Sequence, residues 1–356
     1  MLKKIYFILP FLLTAFLVNS QVVINEYSAS NFDSHLDNYG EYEDWVELYN
    51  TTNSDIDLNG WSLTDKPANL PKWSFNGSFI VSANSVAIVY CSGRDELVGG
   101  VAHTNFKITQ TKAGEVFVLS DASGNIIDSA RAIPAQKSHS RGRDVNGGSS
   151  WSVFTTATPN TSNTGAMLEY APLPIFSQSS GYYSAPFDLT LSCADPNAIL
   201  YYTTDGSKPD NSANLYTGPF NISSTSVVKA VAYSTNGLVP PSFIDYHTFF
   251  INDTHTVPIL SVSGDSVAVL IEDGLQNIGS WWNGTPHEPQ GTIEWFDKNG
   301  VLIDKGTGEF NKHGNDSWAY DQRGFDYVMR DQFGYNHALQ DKVFDTKSRE
   351  KFQRVI

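Results

Sequence analysis

The 356-residue chain carries 38 acidic against 23 basic side chains, a formal charge of −15, with 40% hydrophobic and 13% aromatic residues. This excludes nucleic acid as a main partner, because no basic patch exists to displace counterions from phosphates. It also excludes a disordered tail, since the apolar content suffices for real cores, and the length predicts two or three domains.

The first 20 residues read as a secretory signal peptide. Lys3 and Lys4 form the positive end, 5–18 is an apolar run broken by Pro10, and Val18, Asn19 and Ser20 precede the expected cleavage before Gln21. The run is short for a membrane span. Cleavage would take the charge from −15 to −17, and no later stretch is apolar enough to cross a bilayer. The expectation is a secreted or cell-surface protein. Cys91 and Cys193 are the only cysteines. Falling in different modules, they are expected as buried free thiols rather than a bridge.

Residues 21–155 predict one β domain. VVINEYS (22–28) and DWVELYN (44–50) alternate at strand period and place Trp45 on the face opposite Val46 and Leu48. Further strands are expected at 60–63, 78–81, 85–90, 114–120 and 125–130, punctuated by Asn59-Gly60, Asn76-Gly77 and Ser123-Gly124-Asn125. Many short strands at this spacing imply a sandwich. The acidic residues Asp37, Glu41, Glu43 and Asp44 are either a calcium-type site, because hard cations want several carboxylate oxygens, or a solvated acidic loop. Glu26 and Glu47 are expected to face solvent or to make cross-strand bonds. The set INEYSASN (24–31), GEYEDWVELYN (40–50), DLNGWSLTD (57–65) and KWSF (72–75) resembles the lamin tail domain, an immunoglobulin-like sandwich. The resemblance implies a binding or scaffold role and brings no catalytic residues.

Lys137, Arg141 and Arg143 read as a charged loop. Residues 156–173, rich in Thr, Asn, Ser, Pro and Gly, read as a linker. A second β module follows over 174–252, with strands at 187–193, 198–204, 226–233 and 245–251. YYTTDGSKP (201–209) is a strand entering an Asp-Gly turn, with Asp205 as turn former rather than acid. Together with GYYSAPFDLTLS (181–192) and KAVAYSTNGLVP (229–240), it resembles the small sandwich at the C-terminus of chitobiase and hexosaminidase-type enzymes, with Pro241 intervening before Ser242. Such modules accompany glycan-acting and surface proteins without catalytic groups. Tyr182, Tyr183 and Tyr216 are either sugar-stacking rings or core.

Residues 257–356 open a third module, expected to be the partial α+β start of a domain. Strands are expected at 259–262, 291–296, 301–304 and 325–329, with a hairpin turn at Lys298-Asn299-Gly300, a turn at 331–334 and a helix from Asn336. Lys305-Gly306-Thr307-Gly308 reads as a turn between strands, with a phosphate cradle as the alternative. His287, Glu288, His313 and His337 show no metal-ligand spacing, and there is no P-loop and no G-x-S-x-G elbow. Residues 257–266, 293–300 and 312–344 resemble the CotH-like atypical kinase family. Gly314, Ser317, Tyr320, Phe325, Arg330, Asp331 and Gly334 fall on its pattern; Trp318, Gln322, Arg323 and Asp326 replace its basic residues. The resemblance implies nucleotide contacts from Arg323, Lys312 and Ser317, and ATP with magnesium in a longer parent. The metal and base carboxylates would lie past Ile356, so this chain alone is expected to be inactive. The whole reading is therefore a mainly β, exported, modular protein that binds proteins or glycans at the cell surface.

Overall fold

The structure is a computed structural model and describes residues 21–111, 115–265, 267, 290–313, 324–333, 336–340 and 348–355, with the side chains of 311 and 312 excepted. The expected signal peptide lies outside them. Strands account for nearly all regular structure, in three successive modules.

The N-terminal module is a sandwich. Its larger sheet runs Trp151–Phe154, Ser140–Arg143, Val22–Ser28, Trp45–Asn50, Val86–Tyr90, Val101–His103, Glu96–Val98. Its smaller sheet runs Ile126–Arg131, Val116–Ser120, Ser62–Thr64, Trp73–Ser74. Val46 and Leu48 enter the core between the sheets with Phe75, Phe117 and Leu119. Trp45 falls on the other face with Ile88 and Tyr90, as the alternation requires.

The strand Val22–Ser28 breaks that alternation. Val22 and Ile24 are core residues, but so are Tyr27 and Ala29. The cause is a register shift between Ile24 and Glu26 in the pairing with Trp45–Asn50. A bulge turns Asn25 and Glu26 to the same side. Glu26 then stands opposite Glu47, and both are fully buried. Of the two expectations for them, solvent exposure fails and cross-strand bonding holds, with Ser140 Oγ donating to Glu26 and Asn25 Nδ2 to Glu47. The stretch expected as a linker covers them. The Thr158 backbone N–H donates to Glu26 Oε1 at 2.9 Å, and the Asn160 N–H donates to Glu47 Oε2 at 2.7 Å. Asn25 Nδ2 donates to Glu47 Oε1 and to Asn163 Oδ1, each at 3.0 Å.

Two readings of the basic residues change. Arg141 and Arg143 lie on the strand Ser140–Arg143, not in a loop. Arg141 forms a two-pronged pair with Glu169 at 2.8 and 2.9 Å, and Arg143 reaches Asp128 at 2.8 Å. A guanidinium can be drawn into a sheet where a fork of acceptors meets it.

The middle module has a five-stranded sheet, Gly181–Tyr183, Asp245–Ile251, Ser226–Tyr233, Ile199–Thr203, Asn214–Leu215, with only the first pair parallel. Val228, Ala230, Ala232, Phe249 and Ile251 point into its core. The opposite face, with Lys229, Tyr246, Thr248 and Phe250, is also buried. The C-terminal module covers it with an antiparallel sheet, Ile259–Ser263, Gln290–Phe296, Leu302–Lys312, Phe325–Met329, Arg354–Val355. Phe250 meets Phe296 edge-on at 5.2 Å.

Lys305-Gly306-Thr307-Gly308 is neither a turn nor a cradle, since it lies inside the strand Leu302–Lys312. Gly308 is required there because a Cβ would lie 2.2 Å from the Val328 carbonyl oxygen on the next strand. The Asn-Gly hairpin is as expected: Gly300 has φ +80°, and Asp297 Oδ1 accepts the N–H groups of Asn299 and Val301 at 2.8 and 2.9 Å. The expected helix does not begin at Asn336. Over 336–340 the chain is bent, and Leu339 bridges Phe352. Tyr182, Tyr183 and Tyr216 are part of the packing, against Phe250, Phe187 and Phe220. Both cysteines are free, Cys91 buried and Cys193 half-buried.

A candidate binding cavity where three modules meet

The middle module supplies the centre of the site. SVVKAVAY forms the strand Ser226–Tyr233, whose apolar alternates fill the core, so Lys229 must point the other way. It pairs in register with Thr203 on one side and Tyr246 on the other. The C-terminal module closes over it and leaves it 4% exposed. Burial lowers its amine pKa to about 8, against the opposing pull of Asp265, Glu294 and Asp205. Since that value lies above 7, the amine remains mostly protonated at neutral pH. Among the described residues it forms no ion pair.

The space in front of Lys229 is a cavity of about 160 Å³. Ser242, Ile244 and Tyr246 wall it from the middle module. The backbone around Gly291, with Thr292 and Thr307, walls it from the C-terminal module, and Gln136 closes it from the N-terminal one. Lys208, just past the Asp-Gly turn, and Lys137 complete the lining. Among the described residues, the three charged ones around the cavity are therefore all lysines. Lys137 is already engaged: its ammonium lies 3.3 Å from Asp33 and 4.0 Å above the Phe32 ring. The Thr307 hydroxyl is buried and has no hydrogen-bond partner among the described residues. Such an orphan costs free energy unless something fills the space before it.

The junction is held by carboxylates. Glu294, buried, accepts from Ser180 Oγ and Thr248 Oγ1 across the middle and C-terminal modules. Burial raises its pKa and those hydrogen bonds oppose the rise. Lys305 pairs with Asp245 at 2.6 Å. Asp331, on a 3-10 turn, accepts from the Gln110 N–H at 2.8 Å and from Thr111 Oγ1 at 3.3 Å. Phe333 beside it packs on Phe32 at 6.2 Å.

The residues singled out in the sequence lie elsewhere. Asp37, Glu41, Glu43 and Asp44 share one loop but go to separate partners. Asp37 Oδ1 accepts the N–H groups of Tyr39 and Glu41 at 2.8 and 2.9 Å. Glu41 pairs with Arg94, and Glu43 with Lys107 at 2.8 Å. Asp44 accepts the Asn31 N–H at 3.1 Å, and burial of its carboxyl raises its pKa well above the usual range. No group of three potential metal ligands is gathered among the described residues. Arg323 and Ser317 lie outside the described residues, as do His287 and Glu288. Lys312 is placed by its backbone alone, opposite Phe325. Asp326 lies 3.1 Å from His313 and also pairs with Arg354. His337 Nδ1 is 3.2 Å from Thr111 Oγ1. Asp205 is the expected turn former, accepting the Ser207 N–H at 3.0 Å.

Lys229 and Lys208 were missed, and Thr307 was noted only within the Lys305–Gly308 stretch read as a turn or a phosphate cradle. One signal pointed to the first: it is the single charged residue in an eight-residue apolar strand.

Two family models match. Residues 18–133 match the Lamin Tail Domain, and residues 178–242 match the Chitobiase/beta-hexosaminidase C-terminal domain. Neither match reaches the C-terminal module. No curated protein matches the chain. The chain is thus a multidomain β protein whose first two modules are of binding or scaffold type, one of them an immunoglobulin-like sandwich. No helix among the described residues is long and apolar enough to cross a membrane.

Proposed function

We propose that this chain is an exported modular scaffold that holds protein or glycan partners at the cell surface and presents its C-terminal module in a fixed orientation. One observation carries the reading: buried polar side chains of the C-terminal module, Glu294 and Asp331, are used as clamps on the other two modules. Independent beads on a string need no such bonds. Export draws its support from the apolar stretch at 5–18 and its two flanking lysines.

The kinase-like reading has narrower support, from the residues quoted over 257–344 and from an antiparallel sheet whose fourth strand carries Phe325–Met329. In that reading a longer parent is a phosphotransferase using ATP and magnesium, with Arg323 near the phosphates.

The test is expression of the full sequence in a secreting host. A mature N-terminus at Gln21 in the medium or at the surface is expected, together with glycan or protein capture by residues 21–251, screened with and without calcium. Retention of an intact leader inside the cell would refute export. Turnover of magnesium nucleotide by this chain alone would replace the scaffold reading with the enzymatic one.

A further inference from the structure

We propose that the cavity between the three modules binds a small organic oxyanion, a carboxylate or phosphate group on a ligand no larger than about one sugar ring, with Lys229 as the charged anchor. Three observations support it. The chain has a large acidic excess, yet among the described residues every charged side chain lining this space is basic. Lys229 is almost wholly buried and has no ion-pair partner among the described residues. A buried cation facing an open space is expensive unless an opposite charge enters. Thr307 lines the same space, and its buried hydroxyl has no hydrogen-bond partner among the described residues, which leaves its bonding capacity available to a second oxygen of the ligand if the side chain turns toward it.

The size and surroundings narrow the ligand further. About 160 Å³ admits one ring or a compact acid, well below the several hundred Å³ typical of drug-sized ligands. Tyr246 and Ile244 give the space an apolar wall for a carbon skeleton, while Ser242 and Thr292 lie beside it. The Ser242 hydroxyl already donates to the Phe243 carbonyl at 2.7 Å and accepts the Ala232 N–H at 2.9 Å. Thr292 is bonded to Ser263 at 2.7 Å. These two shape the wall, and Lys229 and Thr307 remain to hold the ligand. Lys208 is exposed at the rim, where a mobile ammonium adds attraction that salt screens. Asp265 and Glu294 lie close enough to steady Lys229, but both are committed: Asp265 accepts the Lys208 N–H at 2.5 Å, and Glu294 is clamped by Ser180 and Thr248.

The inference does not depend on export, so it is tested on purified folded protein. Inorganic phosphate, D-glucuronate, D-glucose 6-phosphate and neutral D-glucose are titrated by calorimetry. Saturable binding of at least one anion and none of glucose is expected. The preferred anion distinguishes a carboxylate from a phosphate source. Lys229→Met, which keeps the stem and removes the charge, should weaken that binding at least tenfold, and Thr307→Val should weaken it several-fold. If the Lys229 variant does not fold, Thr307→Val and Lys208→Gln carry the test, the latter reducing affinity mainly at low salt. Absence of binding for all three anions overturns the proposal. So does anion binding that survives Lys229→Met or Thr307→Val undiminished, because the anion would then be held at the general surface.

Discussion

Lys229 and Glu47 are both buried, and burial acts on them in opposite senses. Desolvation disfavours the charged form, so it lowers the lysine to about 8 and raises the glutamate to about 8. For Glu47 the Asn25 and Asn160 donors oppose that rise, but enclosure outweighs them, and the Glu26 charge opposite adds to it. The signs follow from proton linkage. The folded state keeps the Glu47 proton over the range where an unfolded glutamate, at about 4.5, has lost it. Its contribution to stability is complete below that lower value and drains away as pH rises toward 8. Urea titrations at about pH 5 and about pH 8 should therefore show Glu47→Gln gaining on the wild type as pH rises. Parallel behaviour of the two proteins would refute the assignment. Lys229 runs the other way. The unfolded chain binds its proton more tightly, so the penalty is present at neutral pH and fades between about 8 and the usual 10.5. Without ligand, Lys229→Met should melt higher than wild type at pH 7. That advantage should vanish above about pH 10, which thermal melts across the range would check.

At the scale of single strands, the glycines decide where sheets can approach. A methyl at Gly308 would meet a backbone carbonyl that cannot swing aside. Gly308→Ala should cost about 1–3 kcal/mol, measured as a lower urea midpoint. Gly300 is constrained twice, by its positive φ and by the Tyr182 ring 2.0 Å from where a Cβ would sit. Gly300→Ala should loosen the contact between middle and C-terminal modules as well as the hairpin, by about 1–3 kcal/mol. Loss of protection from amide exchange around Tyr182 would show it; unchanged exchange there would count against the contact.

Sequence periodicity located most strands of five or more residues, because alternation records which side chains meet a core. It did not show what covers the other face. Lys229, Tyr246 and Thr248 look like an ordinary wet face in the sequence, but the C-terminal module lies upon them. The Asn25 bulge was invisible for a different reason: it changes the direction of side chains without changing their identity. Two-residue strands such as Ile56–Asp57 and Trp73–Ser74 carry no period at all. The polar composition of the connector misled in an instructive way. Part of it serves buried groups rather than water: Thr158 bonds Glu26 with its N–H and its hydroxyl, the Asn160 N–H bonds Glu47, and buried Asn163 bonds Asn25. The cavity was illegible because its lining comes from three places far apart in the chain, which local pattern cannot bring together.

Taken as a whole, the molecule joins its modules through specific polar contacts as well as aromatic ones. Gln110 donates to Asp331 from both its backbone and its side chain, while its side-chain oxygen accepts the Ala135 N–H at 2.8 Å. Asp331→Ala would leave a buried N–H without its acceptor, a cost of about 1–3 kcal/mol. The wild-type chain should melt as one calorimetric transition and the variant as two, with the C-terminal module parting first. Two transitions already in the wild type would refute the coupling.

The stretch between the first two sandwiches belongs to both of them. Tyr170 accepts the Gln136 N–H at 3.0 Å and stacks on His139 at 5.9 Å on one side, and packs on Phe243 at 5.0 Å on the other. Leu168 and Ala171 donate to the carbonyls of Leu238 and Pro240 at 2.8 and 2.9 Å. A protease that cut near Thr161 would therefore sever the chain without releasing either half. The nicked pieces should travel together through a sizing column and separate only in denaturant. For anyone transplanting these modules, the joint must move with them, as a rib does with the vault it braces.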